Sequence, residues 1–268
     1  MGRRVQKLHR NKSRSGTGRK QGKSHRRIFL LFIVFILLGI PMLYTAVTQE
    51  VAPVAAVDDA MVDEKIKAEG LDLKIVEKDG YTITPTFREP VKGVIIYPHK
   101  GVSPKAYVPL AMILANKGYL VVIPSFLLNS PELAGNVIEE IIREHEEISF
   151  WALAGHGSGG EAMSSYLAAD EKIKGAIFMA SYPDETADLS ESGLKVVSIM
   201  GSLDTQTDKK GYESSKVRLP EGTMFVRIEG GNFSYFAYYE DEHPGEISRE
   251  EQQVQASVQI FNILDQLR

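Results

Sequence analysis

"SFWALAGHGSGGEAMSSYL", residues 149–167, reads as an apolar run, a turn dense in glycine and the opening of a helix. The run from Phe150 to Ala154 has no charge and no polar–apolar alternation, the pattern of a strand covered on both faces. Such a strand turning directly into a helix puts the turn at the carboxyl edge of a sheet, where open α/β sheets gather their ligands. In the pattern G-x-S-x-G that turn exposes a nucleophilic serine. Here the frame that keeps both outer glycines, Gly155 and Gly159, puts Gly157 at the centre, and Ser158 comes one residue late.

The chain around this stretch repeats its strand-then-helix rhythm. Residues 73–87, "LKIVEKDGYTITPTF", are two β-type runs about Asp79-Gly80, a hairpin signal. Short apolar runs follow at 93–98, 119–124, 148–155, 175–180, 195–201 and 224–231. Helical stretches separate them. One runs from Ser103 to a capping glycine, Gly118. Another is expected over 130–147, with Ser130 as N-cap and Pro131 at the first helical position. The last opens on a capping box, Ser248 and Glu251, with apolar residues at Val254, Val258, Phe261, Leu264 and Leu267. This order predicts one α/β domain, a mostly parallel sheet with helices on both faces joined by right-handed crossovers.

Charge divides the 268 residues sharply. Residues 1–27 hold eleven Lys or Arg and no acid, whereas the remainder carries a net charge of −15. An acidic body with a basic tail excludes a nucleic-acid-binding domain. Residues 28–48 are free of charge and long enough for a transmembrane signal-anchor helix. The basic tail before it then stays in the cytoplasm, and the body lies outside a single-pass cell membrane protein. A cleaved signal peptide is the competing reading, with small residues at Ala55 and Ala56. The expected organisation is a cytoplasmic tail 1–27, a bilayer-spanning segment 28–48, a linker 49–62 and an extracytoplasmic domain 63–268. The absence of cysteine excludes disulfides, thiolate metal sites and a thiol nucleophile. No zinc spacing, calcium loop, Walker loop or dinucleotide fingerprint occurs, so neither metal nor cofactor is expected.

Three strand ends carry the candidate chemistry: "LAGHGSGG", "MGSLDTQTD" and "IEGGNFSYF". With these residues the body resembles the α/β-hydrolase superfamily, and in particular its bacterial dienelactone-hydrolase-like esterases. The resemblance implies an α/β-hydrolase fold, a small ester-like or lactone ligand, and a Ser…Asp…His order along the chain. Its nucleophile column falls on Gly157, its acid column on Asp204 and its histidine column on Phe233. Glycine has nothing to attack with and phenylalanine accepts no proton, so only the acid is kept. The resemblance therefore implies a protein impaired as a serine hydrolase, with a binding or regulatory role. The alternative is an active ester hydrolase that uses Ser158 as a displaced nucleophile, with His243 as its base and Asp204 behind it. On the same implication, Gly157→Ser with Phe233→His is the smallest repair.

Other residues take two readings each. His99 and Lys100 stand where relatives often supply an oxyanion donor; they polarise a ligand or form a solvated turn. His156 binds at the elbow or packs beneath it. Asp204, lacking a histidine to orient, caps a turn or keeps altered chemistry. Tyr235, with Phe236, Tyr238 and Tyr239, lines a pocket or packs a lid. The oligomeric state is open.

Overall fold

The structure is a computed structural model that describes residues 33, 59–239 and 243–268. The tail 1–27, nearly all of the 28–48 segment and the first part of the linker lie outside the described residues. Among the described residues no helix is long and apolar enough to cross a membrane.

Eight strands form one sheet in the order β1-β2-β4-β3-β5-β6-β7-β8. They are β1 Leu73–Glu77, β2 Gly80–Pro85, β3 Lys92–Tyr97, β4 Leu120–Pro124, β5 Phe150–His156, β6 Ile173–Met179, β7 Lys195–Gly201 and β8 Met224–Ile228. The hairpin β1–β2 turns at Asp79-Gly80, both with positive φ, and pairs antiparallel; β2 also runs antiparallel to β4. Every other pairing is parallel.

The continuous apolar runs are explained by burial on both faces. Val94 and Ile96 of β3 join one core with Ala152, Ile177 and Val197, whereas Ile95 and Tyr97 join the other with Trp151, Leu153 and Phe178. The first core is closed by helices α1 Asp59–Glu69, α2 Val108–Ala115 and α6 Arg249–Leu264. The second is closed by α3 Val137–Glu144 and α4 Ser158–Ser164. A seventh-strand crossover carries α5 Lys209–Ser215. Strand β8 ends the sheet, and there the double burial gives way to alternation, with Phe225 45% exposed.

Three expectations are corrected. The helix expected over 130–147 is broken: Pro131–Leu133 is one 3-10 turn, Gly135 takes a φ of +58°, and α3 starts only at Val137. Ser130 caps no helix, because its hydroxyl donates to Glu132. Helix α6 opens as expected, Ser248 accepting the Glu251 N–H at 3.1 Å. Its buried stripe agrees with the expected one at Leu264 and Leu267 but departs from it earlier: Gln252, Gln253, Ala256, Ile260 and Ile263 face the core while Val254 and Val258 are about half exposed. Lastly, α1 begins at Asp59, inside the expected linker 49–62, with Val62 buried and Lys105 paired to Asp59 and Asp63 at 3.0 and 2.9 Å.

Candidate functional site

The turn after β5 has the geometry that its glycines require. A Cβ on Gly155 would collide with Gly160, and one on Gly159 with the carbonyls of Tyr97 and Pro98. These residues let β5, α4 and the end of β3 approach closely. Gly157 itself has φ +50° and ψ −125°, a conformation in which a residue with a side chain is strained. Its N–H donates to Met179 at 3.0 Å, and its carbonyl accepts from the Ser181 hydroxyl at 2.5 Å. The strained elbow is therefore held in place although no nucleophile sits on it. A Cβ there would lie 2.5 Å from His99 Nδ1 and 2.7 Å from Phe233 Cζ. The nucleophile position thus points into a gap already taken by two rings.

His99 is fixed by Ser158. The Ser158 N–H donates to His99 Nδ1 at 3.2 Å, and the Ser158 hydroxyl lies 3.2 Å from the same nitrogen. The Lys100 N–H in turn donates to Ser158 Oγ at 3.0 Å. Burial lowers the His99 pKa to about 4, so the ring is neutral at pH 7 with Nδ1 as acceptor. In a G-x-S-x-G elbow the N–H after the nucleophile is an oxyanion donor. Here that donor is spent on the imidazole.

Beneath these rings runs a buried polar chain. His99 N–H donates to the Tyr107 hydroxyl at 2.8 Å, and Tyr107 lies 2.7 Å from His156 Nδ1. His156 Nε2 lies 2.9 Å from the Phe233 carbonyl, which can only accept, so Nε2 carries the proton and Tyr107 donates to Nδ1. Burial holds His156 well below the usual histidine range. The ring is a neutral brace that ties the third loop to β5, with Phe233 packed 4.6 Å away centroid to centroid. Nothing in the sequence around His156 announces the pairing with Tyr107, forty-nine residues away.

Asp204 is buried and occupied. It accepts from the Gln206 and Thr207 N–H groups at 2.8 and 3.0 Å, and the Thr207 hydroxyl lies 2.6 Å from its other oxygen. This is the turn-capping arrangement. The Leu203 N–H donates to the Gly231 carbonyl at 2.8 Å, which joins the acid loop to the loop of Phe233. Asn232 is clamped by Gln252, whose side chain accepts its N–H and donates to its carbonyl, both at 2.9 Å. A buried glutamine on a helix's inner face is the one signal that could have disclosed this clamp.

Gly157, Ser158, His99, Lys100, His156 and Phe233 thus come together. His243 is exposed, with its carbonyl accepting from Asn232. Among the described residues, the contacts of Ser158 go to His99 and Lys100 and those of Asp204 to Gln206 and Thr207. No Ser158–His243–Asp204 triad is formed. Tyr235 lies under the Arg249 guanidinium, 4.9 Å from its ring centre, and Phe236 and Tyr238 are fully buried. Tyr235 and Tyr238 pack against the start of α6 and Phe236 against His156, 5.6 Å between ring centres, and none of the three lines the elbow's cleft. That cleft, about 250 Å³, is bounded by His99, Gly157, Ser158, Glu161, Tyr182 and Phe233 among others. A neighbouring space of about 290 Å³ shares Ser158 and Glu161 and reaches Glu132 and Asp184.

The profile of the family described as the alpha/beta hydrolase family matches residues 93–255, well over half of the chain. The chain belongs to that family. Its fold is similar to that of a Thermogutta terrifontis esterase 2 phosphorylated by paraoxon, at TM-score 0.53 and 9% identity, covering 72% of this chain and 95% of that one. It is similar also to a protein of unknown function from Agrobacterium tumefaciens, at TM-score 0.53 and 14% identity, covering 73% and 98%. A CIB-like hydrolase from Thermoplasma acidophilum matches at TM-score 0.52 and 12% identity, covering 70% and 96%. Among curated proteins none matches this sequence.

Proposed function

We propose that this is a membrane-anchored member of the α/β hydrolase family that binds a small ligand at the elbow cleft and does not hydrolyse esters there. One observation carries the reading. A side chain at Gly157 would project between His99 and Phe233, so the place where a nucleophile would meet its base is filled by two rings, one with no proton acceptor and the other a weakly basic imidazole. Acyl transfer needs a nucleophile, a base for its proton and donors for the oxyanion. The first is glycine, the second phenylalanine, and the third donates to His99. Descent from the dienelactone-hydrolase-like esterases fits the loop sequences, and anchoring through residues 28–48 fits the charge asymmetry about them.

The competing reading has one observation in its favour, the 3.2 Å approach of the Ser158 hydroxyl to His99 Nδ1. A base of pKa about 4 takes a serine proton poorly. A fluorophosphonate probe decides between the two, since organophosphorus compounds capture a reactive serine; the Thermogutta terrifontis esterase 2 is phosphorylated by one such compound, paraoxon. The expected result is no covalent adduct on the full-length protein. Stoichiometric labelling that Ser158→Ala abolishes would establish an active hydrolase instead.

A further inference from the structure

We infer that the ligand of the elbow cleft is a neutral polyhydroxyl compound of about monosaccharide size, an inference that rests on the binding reading above. The cleft offers both halves of a hydrogen-bonding set, and its donors come first. Because His99 Nδ1 accepts the Ser158 N–H, the proton of the neutral ring sits on Nε2. Among the described residues no acceptor takes that N–H, yet it is not shut away from solvent. Tyr182 lines the same cleft, and its hydroxyl enters no hydrogen bond among the described residues. Phe233 supplies an apolar wall, its ring edge-on to His99 with 5.1 Å between centres.

Beside these donors stands one open acceptor. Glu161 lines the cleft, and burial, then the charges of Asp184, Glu132 and Asp208, raise its carboxyl pKa with no hydrogen bond offsetting them. The neighbouring acids are already engaged. Asp208 accepts the Lys210 and Gly211 N–H groups at 3.1 and 3.0 Å. Asp184 accepts from Thr186, with the Arg218 guanidinium against its carbonyl. These partners sort the ligand classes. A cation meets the His99 Nε2–H, which only donates. An anion meets Glu161 in a lining that contains no Lys or Arg. An ester or ether has acceptors alone and leaves the half-buried carboxylate unsatisfied. Neighbouring hydroxyls serve both sides, accepting from His99 and Tyr182 and donating to the two oxygens of Glu161. The cleft's volume of about 250 Å³, below the roughly 300–1,000 Å³ of drug-sized sites, suits a single sugar ring.

The test is calorimetric titration of the full-length protein in nanodiscs with methyl β-D-glucopyranoside, methyl β-D-galactopyranoside and myo-inositol. The fully O-methylated form of each keeps the acceptors and loses every donor. At least one polyol should bind about tenfold more tightly than its methylated form, and its affinity should fall about threefold in Tyr182→Phe and about tenfold in Glu161→Gln. No binding of any of the three, equal binding of the methylated form, or an affinity that either variant leaves unchanged would each overturn the polyol inference. Choline or butyrate bound where the polyols are not would keep the binding reading and overturn this one. Ethyl butyrate, added in parallel, examines the underlying reading separately. Its Ser158-dependent hydrolysis would sink the binding reading whatever the polyols do.

Discussion

His99 Nδ1 accepts the Ser158 N–H and can do so only while the ring is unprotonated. Its folded pKa, about 4, lies below the ordinary histidine value. Between the two the unfolded chain binds the extra proton, so stability falls as pH drops from about 6.5 towards 4, by up to about 1.4 kcal/mol per pH unit for this one group. His156, pushed the same way by burial, adds to the slope. Urea titrations across that window should show the fall, and His99→Gln should flatten it by the share of one histidine; an unchanged slope would mean that His99 is not buried as a neutral ring. Gly157 makes the second residue-scale prediction. Serine there must accept a φ of +50° and displace one of two rings, a cost of about 1–3 kcal/mol. Sequence resemblance makes Gly157→Ser with Phe233→His the smallest repair, but the structure adds His99 as a third obstacle. The double variant should stay at the parent's rate towards an activated ester. Adding His99→Ala frees the Ser158 N–H, and one oxyanion donor is worth roughly 10²-fold. A double variant as fast as the triple would show that His99 blocks nothing.

The elements show where sequence reading succeeds and where it stops. Strands β3 to β7 were legible because a sheet covered on both faces demands unbroken apolar runs, and five such runs stand between turn residues. Helix α6 was legible in its cap and, at Leu264 and Leu267, at the end of its buried face, but not in the first turns of that face. Val254 and Val258 keep helical spacing with Phe261, yet the stripe that meets the sheet passes through Gln252, Ala256, Ile260 and Ile263. The reason is a polar requirement. Gln252 must point inward to hold Asn232 by two hydrogen bonds, and apolar periodicity cannot register a glutamine as core. Val254→Lys and Val258→Lys should each change stability by less than about 0.5 kcal/mol, whereas Ile260→Ala should cost about 2–5 kcal/mol. Equal costs at the three positions, measured by urea unfolding, would return the buried face to the valines. The helix expected across 130–147 failed on Gly135, whose positive φ interrupts a pattern that otherwise reads as one periodic stretch.

At the scale of the whole molecule, the fold is that of the α/β hydrolase family, and the proposed reading places Gly157 and Phe233 where its nucleophile and base would be. The mostly parallel sheet and the glycine-built elbow were predictable from glycine and strand patterns; the strand order and the bonds between the loops at the carboxyl edge come from the structure. The occupation of the site was less legible. The two missing groups could be read off as Gly157 and Phe233, but the ring that takes the elbow's donor comes from His99, fifty-nine residues before Ser158. Distance along the chain hides such a contact from any local pattern. The basic tail and the acidic body make a separate prediction about placement: protease added to intact cells should digest the body and spare the tail before Arg27. A body protected until the cells are lysed would refute that topology. The central claim, that the cleft binds without hydrolysis, is tested most directly by steady-state hydrolysis of 4-nitrophenyl butyrate by the full-length protein beside its Ser158→Ala variant. On the proposed reading, in which Gly157 and Phe233 stand where nucleophile and base would, any remaining acceleration should stay within roughly 10³–10⁴ of water and be the same in both proteins. An ordinary esterase's turnover, lost on Ser158→Ala, would contradict it.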